Sequence, residues 1–520
     1  MADALPNSLP DPLAGDVHGS EVGARRASAR ANGSVARARI ERLVDPGSFQ
    51  EIGQLAMSVV RDQLGRIAGC LPGGTVCGLA GIDGRLVAVA AEGPVVEPND
   101  EPLPVRKLAQ PKSGWDGYIE RLALDHEIPL VLLLDGWGGG NSSTGRKDYS
   151  FSVSAVRTLA SLRLLDVAPV AVGVLGPVAG LAAARVVAAH FSVMLRSTGR
   201  VFAGSALESG ALAGDLAASL GGATLQAGAA GNVDNVAETE DDLYDQIRAF
   251  LSFLPSNSRA RPPFEAADDD PNRSCDGLAG ILPDNPKAGY NVVAIIDEIV
   301  DDGSFFELTP RFGAAVITGL ARMGGEPVGV IASNPLVLAG AMDAAACEKT
   351  TRMFELCDTF HLPVVSFSDV PGLMIGPDAE RTGLFRRGFR TMQAAHRATV
   401  PVFTVIVRRS YGVGGMLTGS PRANGHILSW PRGEWGDMPI EGGAAALYGR
   451  ELAAAADPET LLIELEARLK STTSLWSTAE AFGIGDVIEP SETRRILCRL
   501  IAAAVAHRPH DRKRGPSFRP

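Results

Sequence analysis

The chain has 520 residues, 45% of them apolar and 21% charged, a globular composition too long for one ordinary core of roughly 100–200 residues. A net charge of −11 argues against non-specific nucleic-acid binding, which draws on a basic surface. Six cysteines (Cys70, Cys77, Cys275, Cys347, Cys357, Cys498) form neither a CxxC pair nor a zinc-ligand spacing, which leaves no zinc ribbon or redox dithiol and fits a reducing cytoplasm.

Residues 1–36 hold Arg25, Arg26 and Arg30 with no apolar run behind them, so a loose tail is expected there, not a secretory signal. The string Val44, Asp45, Pro46, Gly47, Ser48, Phe49 and Glu51 returns, with proline changed to aspartate, as Val300, Asp301, Asp302, Gly303, Ser304, Phe305 and Glu307, 256 positions later. A repeat of about half the chain fixes the architecture before any motif is interpreted. Pro129–Asp135 (PLVLLLD) pairs in the same way with Pro363–Asp369 (PVVSFSD), and Pro169–Gly176 (PVAVGVLG) with Pro401–Arg408 (PVFTVIVR). Continuous apolar runs opened by proline and closed by a polar or glycine break predict strands buried on both faces. Helical patterns lie between them, so the expected class is α/β with largely parallel pairing. In Asp378–Thr399, for example, Leu384, Phe385, Gly388, Phe389, Met392 and Ala395 share one stripe. The most apolar stretch, 169–195, is broken by Gly176, Pro177, Gly180 and Arg185, which predicts a buried strand, turn and helix in place of a membrane span. Pro262, Pro263, Pro271, Pro283 and Pro286 mark residues 259–288 as a linker between domains 37–258 and 289–505, with a tail at 506–520.

The sequence writes no nucleophile elbow and no HExxH, and His126, His190, His361, His396 and His426 have no obvious partner. Gly136–Lys147 (GWGGGNSSTGRK) has phosphate-loop spacing, but Arg146 stands where the lysine belongs and Lys147 where the hydroxyl belongs. That leaves a turn lining a substrate cavity, with Gly138, Gly139 and Gly140 as candidate contacts, or a structural glycine turn. Two further turns hold equivalent places in the repeat: Gly176–Ala184 (GPVAGLAAA) and Tyr411–Met416 (YGVGGM). Each follows a predicted buried strand and opens a small-residue helix, so that successive N–H groups can face one oxygen with no side chain in the way. Paired donors of this kind form an oxyanion hole; the alternative is a tight strand-to-helix turn without a ligand.

In these and other strings the chain resembles the carboxyltransferase (β) subunits of biotin-dependent acyl-CoA carboxylases of the propionyl-, acetyl- and methylcrotonyl-CoA type. The likeness runs from Arg37 to about Val505: ARARIERLVDPGSFQEIG, LSFLPSN from Leu251, YNVVAIIDEIVDDGSFFEL from Tyr290, and ITGLARMGGEPVGVIASNP from Ile317. It continues through the stretch from Glu348 that contains SDVPG, ATVPVFTVIVRRSYGVGG from Ala398, and IGDVIEPSETR from Ile484. The resemblance implies two tandem crotonase-like (ClpP/crotonase) domains, the N-terminal one holding acyl-CoA and the C-terminal one carboxybiotin, in a ring-like oligomer such as a hexamer. By motif match it places the oxyanion donors at Gly180 and Leu181 in the first half and at Val413 and Gly414 in the second. Ala179, Tyr411, Gly412 and Met416 then border the substrate, and Val370, Pro371 and Gly372 the biotin. No biotinyl-lysine motif or ATP-dependent carboxylase half is written here, so a biotin carboxylase or biotin carboxyl carrier partner is expected to bring the cofactor. Where the family commonly reads DSGGAR this chain has Asp135–Gly140 (DGWGGG), where GPCAGGA it has GPVAGLA, and where YGGAYD it has YGVGGM. A decarboxylase or transcarboxylase of the same fold, or a non-catalytic homologue pairing with an active paralogue, stays open beside the carboxylase reading.

Overall fold

A computed structural model describes residues 35–54, 57–61, 67–72, 75–93, 117–135, 160–203, 219–418, 425–472 and 474–506. The chain divides into two compact units. One takes residues up to Leu164 with Val170–Gly222 and Ala237–Arg248; the other takes Leu165–Pro169, Ala223–Val236 and everything from Ala249 on.

The first half supplies β1 (Gln50–Ile52), β2 (Met57–Arg61), β3 (Ile67–Pro72), β4 (Thr75–Ile82), β5 (Arg85–Glu92), β6 (Leu130–Leu134), β7 (Val170–Val174), β8 (Pro177–Ala179), β9 (Phe191–Leu195), β10 (Arg200–Phe202) and β11 (Asn235–Ala237). Seven of them form a sheet in the order β1-β4-β5-β6-β7-β9-β11. β1, β4 and β5 pair antiparallel, and β5 through β6 and β7 to β9 pair parallel. The second half supplies β12 (Phe306–Leu308), β13 (Val316–Met323), β14 (Glu326–Ser333), β15 (Val364–Val370), β16 (Val402–Tyr411), β17 (Gly425–Ser429), β18 (Glu434–Gly436) and β19 (Asp486–Val487). Its order, β12-β13-β14-β15-β16-β17-β19, repeats the first sheet, antiparallel through β14 and parallel after it. The proline-opened runs are the parallel strands β6, β7, β15 and β16, and β6, β7 and β15 are buried at every residue, as sheets covered on both faces require.

The repeated VDxGSF string is a scaffold staple. Each half closes the hairpin of its main sheet, β4–β5 or β13–β14, with two residues at positive φ, Asp83 (50°) with Gly84 (73°) and Gly324 (60°) with Gly325 (84°), the backbone of a primed two-residue turn. In the first half Asp45 receives the N–H groups of Asp83 and Gly84 at 2.9 and 2.8 Å. In the second Asp301 receives those of Gly324 and Gly325 at 2.8 and 2.7 Å. Phe49 and Phe305 then lie over Gly78 and Gly319, where a Cβ would fall 2.9 and 2.4 Å from a ring carbon.

Residues 259–288 are fastened to the second unit. Arg322 donates to the Pro263 carbonyl at 2.8 Å, Arg494 to Asp270 at 3.1 Å, and Arg408 to Pro286 and Ala288 at 2.8 and 2.9 Å. The Asp378–Thr399 pattern becomes two helices, Pro377–Arg381 and Leu384–Arg397, parted by Gly383 at φ 69°. Its expected stripe needs correction, because Leu384, Gly388, Thr391, Ala394 and Ala395 are the buried positions while Phe385 and Phe389 face outward and pack on each other at 4.8 Å. The rotation follows from Thr391, whose hydroxyl donates to the Cys347 carbonyl at 2.8 Å and lies 2.9 Å from that of Thr351, both on the helix Ala344–Phe360. Among the described residues no helix is long and apolar enough to cross a membrane.

The same helix buries Lys349, whose Nζ has no hydrogen-bond partner among the described residues. Burial pushes its pKa down from 10.5 to about 8, opposed by the carboxylates of Glu307 and Asp234. The unfolded chain keeps this proton to higher pH than the folded one, so the group adds stability as pH rises from about 8 to 10.5. Thermal unfolding of wild type and Lys349→Met across that range is expected to show the wild type gaining on the variant. A difference independent of pH would contradict the assignment.

Candidate active site

In the second unit the parallel pairing of β15 with β16 brings the two glycine strings together, with Val370 opposite Ser410 after a bulge. Beyond Val370 runs Pro371-Gly372; beyond Tyr411 begins the six-residue helix Gly412–Leu417. A Cβ on Gly414 would lie 2.8 Å from the Gly372 backbone and 2.9 Å from Val370, and one on Gly415 would lie 2.6 Å from Ser410 Oγ. Gly412, at φ 54°, sits 2.9 Å short of the Asp437 carbonyl by the same measure. These three glycines are there so that protein can approach protein. Gly372, at φ 141°, differs, since no atom lies within 4 Å of its missing Cβ and its side of the turn is open. The first N–H groups of the helix, at Gly412, Val413 and Gly414, have no acceptor within it. Val413 is half-buried and Met416 is 44% exposed; Tyr411 is buried and donates its hydroxyl to Glu434 at 3.1 Å.

Behind this turn lies a charge cluster. Asp369, the penultimate residue of β15, is 1% exposed. Its Oδ2 accepts from Arg408 Nε at 3.0 Å and from the Tyr290 hydroxyl at 2.9 Å, with Arg408 Nη2 also 2.9 Å away, and its Oδ1 accepts from Arg409 Nε at 2.7 Å. Arg408 lies 5.2 Å over the Tyr290 ring, a cation–π contact. Burial first, then the Asp369 charge, lifts the Tyr290 phenol far above its ordinary pKa, so it stays a donor. The cluster ties the ends of β15 and β16 to residues 286–290, and Arg409 adds a bond to the Ala339 carbonyl at 3.0 Å.

The first unit builds the same place from different residues. Ala179 is buried at the end of β8, and Gly180, at φ 61°, caps the helix Leu181–Val187. β8 pairs with β10 as the end of β16 pairs with β18, which makes Gly180 the counterpart of Gly412. The Gly180 N–H donates to the Phe202 carbonyl at 3.1 Å, so the motif match needs correction there: that N–H is already committed, and the donors of this turn without an acceptor inside the helix begin at Leu181. Space beside Gly180 is open, with no atom within 4 Å of a built Cβ. The counterpart of Asp369 is Asp135, and the counterpart of Arg408 is Gly176. A Cβ on Gly176 would overlap Asp135 Oδ1 at 1.7 Å, and the arginine comes instead from the helix Val35–Leu43, with Arg39 Nη1 2.6 Å from Asp135 Oδ2. Gly138, Gly139 and Gly140, with Arg146 and Lys147, lie outside the described residues.

Two histidines have structural posts. His190 Nδ1 accepts the Val170 N–H at 3.0 Å, and His361, at the end of Ala344–Phe360, has Nε2 2.7 Å from the Ser258 carbonyl. Cys77 and Cys347 are buried, and desolvation pushes both thiols up to about 12, far from a reactive thiolate. Asp369, Arg408, Arg409 and Tyr290 were not picked out from the sequence as site residues; the available signal was a single charged residue closing a proline-opened and otherwise uncharged run.

Removing the Asp369 carboxylate would leave two arginines facing each other without their shared anion. Asp369→Ala is therefore expected to lose about 3–5 kcal/mol of stability, read as a lower denaturant midpoint. An unchanged midpoint would show the cluster to be dispensable.

A family model described as carboxyl transferase domain matches residues 28–515. The propionyl-CoA carboxylase carboxyltransferase subunit of Haloferax mediterranei is 32% identical over 476 residues, 90% of this chain and 89% of that one. The methylmalonyl-CoA decarboxylase subunit alpha of Veillonella parvula is also 32% identical, over 91% of this chain and 90% of its own length. Among solved structures, a transcarboxylase 12S hexamer with methylmalonyl-coenzyme A bound superposes with a TM-score of 0.83 at 25% identity, covering 98% of this chain and all of that one. With its two repeated crotonase-like halves, the chain belongs to the carboxyl transferase domain family.

Proposed function

We propose that this chain is the carboxyltransferase subunit of a biotin-dependent acyl-CoA carboxylase, which moves a carboxyl group from carboxybiotin on a partner's carrier domain to the α carbon of an acyl-CoA. The observation that carries the reading is the duplicated turn: a left-handed glycine at the end of a short strand pairing, followed by a two-turn helix whose first N–H groups have no acceptor within it.

Removing the α-proton of a thioester puts negative charge on its carbonyl oxygen. Donors fixed beforehand stabilise that charge more than they stabilise the neutral carbonyl. In the first half the Leu181 N–H, with Ala182 behind it, is the donor assigned to the thioester. Gly180 contributes its missing side chain, which leaves the approach clear. In the second half the N–H groups of Val413 and Gly414 are assigned to the ureido oxygen of biotin. The open face of Gly372 and the small-residue turn beside it fit a flat bicyclic ring, with Val370 and Pro371 as its border. Carboxybiotin, when bound, supplies an activated carboxyl group. Everything else asked of the chain is orientation, exclusion of water and two polarised oxygens, and no side-chain nucleophile is required.

A biotin carboxylase with its carrier domain is the proposed partner in a cytoplasmic complex. A hexamer, the assembly of the transcarboxylase 12S structure, is the proposed form, with pairing to a paralogue as the alternative. The equal likeness to a decarboxylase subunit favours one second reading, the same transfer run toward biotin.

The test is the purified chain with its biotinylated partner, offered a panel of acyl-CoAs and labelled bicarbonate. Label is expected in at least one acyl-CoA, and Gly180→Val, which closes the open side of the turn, is expected to lower kcat roughly a hundredfold. Absence of label from every thioester would end the carboxylase reading. Loss of the carboxyl group from methylmalonyl-CoA to biotin, without the forward reaction, would establish the second.

A further inference from the structure

Leu181–Val187 is only seven residues long, and a helix of that length does not hold itself together on propensity. Its direction is set by what its side chains grip. Ala182, Ala183 and Val186 are buried and apolar, contacts that resist a small rotation only weakly. Arg185 is different. It stands one turn beyond Leu181, about 6 Å along the axis. Its Nη2 lies 2.7 Å from Oε1 of Glu120, a carboxylate 1% exposed, and its Nη1 lies 3.8 Å from Oε1 of Glu92. The Glu120 contact is one of charge, without hydrogen-bond alignment, and Arg185 Nε is buried with no hydrogen-bond partner among the described residues. Glu120 sits in the first turn of the helix Tyr118–His126 and Arg185 in the last turn of its own, so each helix dipole favours the charge at its end. The pair thus joins the helix that opens at Leu181 to a neighbouring helix and to the end of β5.

We propose that Arg185, clamped by Glu120, is a positioning residue for carboxyl transfer: it fixes the rotation of Leu181–Val187 and so aims the Leu181 N–H at the thioester oxygen. This rests on the function proposed above. A buried ion pair is a weak source of stability, since swapping both partners for apolar residues of similar volume is often neutral. It does fix the distance of Arg185 from two carboxylates on neighbouring elements, however, and catalysis by preplaced donors is lost with small displacements.

The full chain with its carrier partner is compared as wild type, Glu120→Leu/Arg185→Met and Arg185→Lys, on the thioester that the wild type prefers. The double variant orphans neither member of the buried pair, and Glu92, at 20% side-chain exposure, keeps its access to solvent, so the variant is expected to keep its unfolding midpoint and hold KM for acyl-CoA within about twofold, while kcat falls roughly tenfold or more. Arg185→Lys keeps the charge but loses the planar fork, and its kcat is expected to fall between the two with KM unchanged. A double variant with wild-type kcat overturns the inference, as does one whose kcat falls only in proportion to its folded fraction. Should the double variant not fold, Arg185→Lys decides: a lowered kcat at constant KM supports the role and an unchanged kcat removes it. Gly180→Val separates this from the parent reading. If it is inactive while the double variant is not, only the positioning role fails; if it is fully active, the oxyanion assignment fails and takes the inference with it.

Discussion

The second half of this protein is organised around one buried carboxylate. Asp369 stands next to last in a strand buried at every residue, where no water can solvate it, and an ionised group in that position persists only if it is matched by charge and hydrogen bonds. Arg408, Arg409 and Tyr290 provide the match, and in doing so they bind together the ends of two parallel strands and the segment that leads into the unit. The loop Val370–Gly372 and the turn Tyr411–Gly415 inherit their positions from this cluster. Gly414 then sits against Gly372 with no room for a methyl group, so the two loops form one body.

The first half meets the same requirement by another route. Its strand-end carboxylate, Asp135, occupies the space that opens because Gly176 has no side chain, and its cation arrives from a helix nearly a hundred residues earlier, as Arg39. Glu240 shares that arginine at 3.1 Å, so the carboxylate is less enclosed than its counterpart, at 18% side-chain exposure against 1%. The repeat conserves the demand for a fixed strand end while letting the residues that satisfy it diverge.

Much of the scaffold was legible because it is written locally. A proline followed by five or six apolar residues and a glycine break leaves little besides a doubly buried strand, and the VDxGSF string announced the duplication. The glycine turns were legible as turns. Their use was less so: the Gly180 N–H is spent on Phe202, 22 residues downstream, and nothing within the string GPVAGLA announces that pairing. The aromatic stripe on Leu384–Arg397 misled for a related reason. Periodicity gives the angle between residues but not which face meets the neighbour, and two threonine hydroxyls on facing helices settled that against Phe385 and Phe389. The Asp369 cluster draws on positions 290, 369, 408 and 409, which only the sheet order brings together.

The hairpins stapled by Asp45 and Asp301 bear on how such a chain reaches its final form. Two-residue turns impose the least loop-closure entropy of any strand connection, whereas β5 to β6 and β14 to β15 must wait for long crossovers. Each half therefore carries its own low-contact-order seed next to its own slow parallel sheet. A ribosome releasing this chain exposes a complete seed for the first half before any of the second has been synthesised, which keeps two near-identical sheet patterns from competing for each other's strands.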